Sequence, residues 1–207
     1  MSVPGSDVRL RLGPTVRRVL GQVRARARAA LGLRGAASLI LLLVSLALLS
    51  FGLDRLLRLA WGSRAAILVI MVTMLGALTW TRLLRPLLAP LADDELARQI
   101  EGRHPFLEWR LLSAVQFADP TWSPGPDTSR TLAAAIVDDA ERIAGGVEAA
   151  RVVPGEPMFQ AALRGGAVLL AGALLVAAFP GAARTWAARN LLLSTTARWP
   201  QDTSLRV

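Results

Sequence analysis

The sequence predicts an all-α membrane protein: three transmembrane helices, a small cytoplasmic helical insert and a basic amphipathic N-terminal helix. Three observations predict it. Residues 36–53, 65–81 and 165–183 carry no charged side chain, and each run has about the 17 to 25 residues that cross a hydrocarbon core of about 30 Å at 1.5 Å per residue. Hydrophobic residues make up 53% of the 207 and charged residues 19%, a combination that requires the two kinds to be segregated into blocks. The first 34 residues hold eight arginines against one acid, Asp7, which by the positive-inside bias places the N-terminus in the cytoplasm.

Composition narrows the chemistry. All 24 basic residues are arginine, giving a net charge of +9, and alanine and leucine dominate the apolar set; this points to a GC-rich, bacterial genome. Without cysteine there are no disulfides, thiolate metal sites or cysteine nucleophiles. A single histidine, His104, leaves no histidine cluster for zinc or iron. Because the arginines lie beside apolar spans, anionic lipid is a nearer partner than nucleic acid.

Residues 1–34 form the basic cytoplasmic segment. Val16, Val19, Leu20, Val23, Ala27, Ala30 and Leu31 recur at helical spacing, with Arg17, Arg18, Arg24 and Arg28 largely opposite. Such a helix is expected on the inner leaflet, its arginines near anionic lipid. A signal peptide fits poorly: the basic region is too long and the apolar run exceeds a usual h-region.

Residues 35–81 read as a transmembrane hairpin. The first span (36–53) is rich in Leu, Ile, Val and Phe, each worth about −0.3 to −0.6 kcal/mol on the insertion scale, for a total of several kcal/mol. The second (65–81) ends at Trp80, whose amphipathic ring suits the headgroup level. Between them the link from Asp54 to Arg64 carries three arginines and is expected outside.

Residues 82–164 form the cytoplasmic insert. After a linker from Pro86 to Pro90, Asp93 or Asp94 caps a helix with Leu96 and Ile100, broken by the stretch from Gly102 to Pro105. Leu107, Leu111, Leu112 and Val115 mark a second helix that stops before Asp119 and Pro120. A loop from Pro120 to Asp127 follows. Asp127, Thr128 or Ser129 then starts a third helix with an apolar stripe of Leu132, Ile136, Ala140, Ile143 and Val147. Such narrow stripes make only a small core, so residues 93–153 are the expected face for a cytoplasmic protein partner.

The third span (165–183) is diluted by glycine and alanine, with Pro180 near its end. Ala167 with Ala171 and Ala173 with Ala177 offer a weak small-residue packing seam. The tail, residues 184–207, is expected outside, although its Arg184, Arg189, Arg198 and Arg206 oppose that placement. Thr203 to Val207 reads like the opening of a β-strand.

No catalytic, cofactor or metal residue is assigned. Asp93, Asp94 and Glu95, and Asp138, Asp139 and Glu141, suit helix starts and solvent faces better than acid–base pairs. His104, before Pro105, reads as a loop or capping residue. Neither a phosphate loop nor a nucleophile elbow occurs.

The stretch Leu91-Ala92-Asp93-Asp94-Glu95-Leu96-Ala97-Arg98-Gln99-Ile100-Glu101, then Pro105, Leu107 and Arg110-Leu111-Leu112-Ser113-Ala114-Val115-Gln116, carries a family likeness. It resembles the N-terminal region of large bacterial inner-membrane proteins of unassigned function, in which two spans, a cytoplasmic helical insert and a third span precede a long extracytoplasmic part. The likeness extends to the tail, from Asn190-Leu191-Leu192 to Trp199-Pro200. It implies an inner-membrane location, brings no catalytic residues with it, and makes this chain an N-terminal piece of a longer protein. The expectation is therefore a non-enzymatic membrane anchor and interaction module. The alternative, a segment of a transport or channel assembly, is disfavoured because at membrane depth, short of the terminal Thr81, the spans offer only the hydroxyls of Ser38, Ser45, Ser50, Thr73 and Thr79.

Overall fold

The computed structural model describes residues 10–123 and 129–199. Among these, helix is the only regular element. In chain order the helices are α1 (Pro14–Leu57), α2 (Trp61–Thr79), α3 (Arg85–Leu88), α4 (Asp93–Arg103), α5 (Arg110–Phe117), α6 (Arg130–Ala144), α7 (Ala149–Val152), α8 (Glu156–Ala178) and α9 (Pro180–Trp186). Single π-helical turns follow α2 (Trp80–Leu84) and α9 (Ala187–Leu191), and a 3-10 turn (Pro105–Leu107) precedes α5. The chain divides into two compact units, Met1–Ala30 with Ala89–Glu156, and Leu31–Leu88 with Pro157–Val207.

Three helices are long and apolar enough to cross a membrane: Pro14–Leu57, Trp61–Leu88 and Glu156–Ala178. The third begins and ends earlier than the uncharged run 165–183. Pro180 sets its end, because the residue before a proline is pushed out of the helical region; Phe179 sits at φ −129°, ψ 59°, and Pro180 opens α9 where its missing N–H costs nothing. Pro86, expected in a linker, instead lies within α3. The π-helical turn just ahead of it redirects the ladder, with the Arg85 N–H bonding back to the Trp80 carbonyl.

Within the second unit one close helix contact requires glycine, at Gly35, and two others pass over glycine at ordinary contact distance. A Cβ at Gly35 would lie 2.7 Å from the Arg82 carbonyl oxygen, and one at Gly165 would touch Ala37 at 3.4 Å. These two positions, with Gly172 over Val44, line α1 against its neighbours. The small-residue seam expected at Ala167, Ala171, Ala173 and Ala177 is not the one used here: all four alanines are exposed.

The first unit is built around a core from α1, α4, α5 and α6. Leu96, Ile100, Leu107 and Leu111 are fully buried, each worth about 1.5–3 kcal/mol of transfer free energy. The stripe Val16, Val19, Leu20 and Val23 of α1 is part of this core. That face, expected against the inner leaflet, thus has a protein partner from the same chain.

The insert helices lie where the periodicity places them, with two adjustments. Ala92, not Asp93 or Asp94, is the N-cap of α4, and the acids occupy its first turn, where they favour the helix dipole. Ser129 starts α6, its hydroxyl accepting the Leu132 N–H at 3.4 Å; Asp127 and Thr128 lie outside the described residues, as does the strand-like Thr203 to Val207. The buried face of α6 is Ala133, Val137, Ala140 and Ala144. Leu132 is 61% exposed, so the stripe is rotated from the expected one toward small residues that let α5 approach closely.

Candidate functional site

Charge and apolar sequence meet at the ends of the second unit's helices. Asp54 is the first charge after the uncharged run of α1, and it is completely buried. The π-helical turn Ala187–Leu191 brings two consecutive side chains, Arg189 and Asn190, to the same carboxylate. A π turn makes that possible, since adjacent residues of an α-helix diverge more widely around the axis.

The Arg189 guanidinium binds Asp54 in a fork, Nε to Oδ2 at 2.8 Å and Nη2 to Oδ1 at 3.0 Å. Asn190 Nδ2 donates to Oδ2 at 3.1 Å and Trp199 Nε1 donates to the same oxygen at 3.0 Å. Charge-assisted and bidentate bonds of this kind are the strong ones. Trp199 is also held edge-on by Phe51, with centroids 5.5 Å apart, and lies under the Arg55 guanidinium at 5.3 Å.

A second buried cation completes the cluster. Arg64, 5% exposed, donates through Nη1 to the Arg189 carbonyl at 2.9 Å and the Ser194 carbonyl at 3.1 Å. Arg189 Nη1 donates to the Ala197 carbonyl at 2.9 Å. Between positions 189 and 199 the chain is therefore stapled by Arg64, Arg189 and Asp54. Leu193, in the left-handed region at φ 50°, makes the turn that this stapling requires.

The first unit holds two carboxylates at helix N-termini. Glu141 accepts the N–H groups of Thr15 at 2.6 Å and Val16 at 3.0 Å, capping α1 from another helix. Burial opposes its ionisation, but the hydrogen bonds from Thr15 and Val16 and the charge of Arg17 hold its carboxyl below the usual range. Gly13 is needed for this approach, since a Cβ there would lie 2.2 Å from the Glu141 carboxyl carbon. Glu101 likewise accepts the Leu112 N–H of α5 at 3.0 Å.

His104 caps, as expected. Its Nδ1 lies 3.1 Å from the Ile100 carbonyl and its Nε2 accepts the Glu148 N–H at 3.4 Å, which fits the neutral tautomer with the proton on Nδ1. The acidic groups are spread among helix starts and ion pairs: Asp93 pairs with Arg24, Glu95 with Arg98, and Asp139 with Arg110 and Arg142. Among the described residues no three of His, Cys, Asp and Glu gather closely enough to hold a metal. Of the expected lipid-facing arginines, Arg17, Arg18 and Arg28 are exposed and Arg24 is half-buried in its pair with Asp93.

Sequence reasoning missed the Asp54 cluster. Asp54, Arg64 and Arg189 read as charges of a link and a tail; the available signal was an acid at one span edge and a basic-polar pair, Arg189-Asn190, after another. No protein-family profile, curated protein or solved structure matches the chain.

Proposed function

We propose that this chain is a non-enzymatic integral membrane anchor and protein-interaction module of a bacterial inner membrane, with its N-terminus in the cytoplasm. The observation that carries the reading is the stapled segment from Arg189 to Trp199. An anchor must give what it holds a defined point of departure from the membrane, and buried bonds to three side chains do that without any chemistry on a substrate. The anionic leaflet is met by the exposed Arg17, Arg18 and Arg28.

Two further observations support the reading. Arg189 is neutralised by Asp54, so it does not weigh as a free charge in the positive-inside balance, which removes part of the tail's opposition to an outward position. The first unit keeps large apolar side chains in solvent, with Trp109 66%, Leu132 61% and Phe106 49% exposed. Aromatic residues of that kind dominate protein interfaces, and residues 93–153 are assigned to a cytoplasmic protein partner.

The test uses the absence of cysteine. Single Ser123→Cys and Thr195→Cys variants, both at exposed positions, are treated on intact cells with an impermeant maleimide. Labelling at 195 and protection at 123 are expected; the reverse pattern overturns the orientation.

A further inference from the structure

The buried charges of the second unit do not balance. Asp54 answers Arg189, whereas no carboxylate lies within 4.0 Å of Arg64 among the described residues. A guanidinium keeps its charge in proteins, and a buried cation served only by carbonyl dipoles lacks the compensation that burial demands. Its Nε is also buried without a hydrogen-bond partner.

Arg64 lines a small, partly open cleft of about 10 Å³ together with Ser50, Ile67, Leu68, Met71 and Asn190. That space admits roughly one water-sized atom. Its lining mixes polar Ser50, Arg64 and Asn190 with apolar Ile67, Leu68 and Met71 of α2 and with Trp186 and Leu191. Ser50 already donates to Ala47 and accepts from Trp186, and Asn190 donates to Asp54 and Trp186. Arg64 is left as the group with donor capacity and charge to spare.

We infer that this cleft takes a phosphate oxygen of a phospholipid, with Arg64 as the anion-binding residue and Ile67, Leu68 and Met71 as the wall against which the lipid's apolar part lies. The cleft sits where uncharged helix meets charged residues, Leu53 to Asp54 and Arg64 to Ala65, the level at which headgroup phosphates are found. The proposal goes beyond the anchor reading and rests only on its membrane-spanning part; it is independent of orientation and of any protein partner.

The experiment uses the full chain purified in a non-phosphate detergent. Retained lipid is read by native mass spectrometry and the unfolding temperature is recorded, with phosphatidylglycerol or inorganic phosphate as the probe. One retained phosphatidylglycerol per chain and a raised unfolding temperature are expected. Arg64→Gln should weaken retention tenfold or more. Ile67→Trp, which fills the apolar wall and leaves every hydrogen bond of the cluster in place, should weaken lipid retention without altering the response to inorganic phosphate. Equal stabilisation by inorganic phosphate, lost in Arg64→Gln and indifferent to Ile67→Trp, assigns the same anion site to a free ion. No retention and no stabilisation by either probe, or a lipid response unchanged in both variants, overturns the proposal.

Discussion

Replacing Asp54 by Asn tests the cluster most directly, because it preserves shape while removing the charge that Arg189 and Trp199 address. Removing one partner of a buried ion pair costs about 3–5 kcal/mol, since the other charge stays buried and uncompensated. Here the Arg189 guanidinium keeps a bond to the Ala197 carbonyl at 2.9 Å, and the Asn carbonyl still accepts one donor, which places the expectation at the lower end. A loss of about 3 kcal/mol corresponds to roughly a hundredfold shift in the unfolding equilibrium at 1.4 kcal/mol per decade. The assay is unfolding of the chain in detergent micelles by titrated dodecyl sulfate, followed by helicity and tryptophan emission. The companion Asp54→Leu/Arg189→Leu variant removes both charges and should lose less than the sum of the two single losses, because no uncompensated ion stays buried, although Asn190 and Trp199 lose their shared acceptor. A single-variant loss below about 0.5 kcal/mol, or a double variant showing the sum of both single losses, refutes the coupling argued from the fork geometry.

Three other outcomes follow from the packing. Glu141→Gln weakens the cap on α1 and should cost about 0.5–2 kcal/mol; because the folded carboxyl titrates below its usual value, the parent's contribution is present above about pH 4.5 and is lost as pH falls through the folded value, so the variant should flatten the acid limb of a stability–pH profile. Ile100→Ala, at a position with no solvent exposure, should destabilise the first unit by about 2–5 kcal/mol in chemical denaturation. Gly35→Val places side-chain atoms against the Arg82 carbonyl, 2.7 Å from where a Cβ would stand, and should cost about 1–3 kcal/mol in the same dodecyl sulfate titration used for Asp54, whereas Gly52→Val, facing open space, should not reproduce that loss.

Much of the architecture was legible because apolar runs and arginine blocks are local signals. The three long apolar helices, the break between Gly102 and Pro105 and the start of α6 within Asp127 to Ser129 each rest on a few neighbouring residues. Long-range pairings were not legible. Asp54 and Arg189 are 135 positions apart, and Glu141 reaches Thr15 across 126, so no window of sequence joins them. The face of α6 was misjudged for a different reason: periodicity weighs large side chains, whereas this helix buries Ala133, Ala140 and Ala144 and leaves Leu132 outside. Pro86 misled in the same way, since a proline reads as a break until a π-helical turn ahead of it supplies another hydrogen-bond register.

The separation of Asp54 from Arg189 also sets a timetable. With synthesis proceeding at about 5–20 residues per second, the 135 positions between them take roughly 7 to 27 s to emerge. Once Trp61–Thr79 has followed, and for the rest of that interval, Asp54 is unanswered and Arg64 lacks the carbonyls of Arg189 and Ser194. The newly made pair of helices is thus an open clasp, and it closes only when the chain that follows α8 arrives. A chain stopped before Arg189 would leave that pair of helices unfastened.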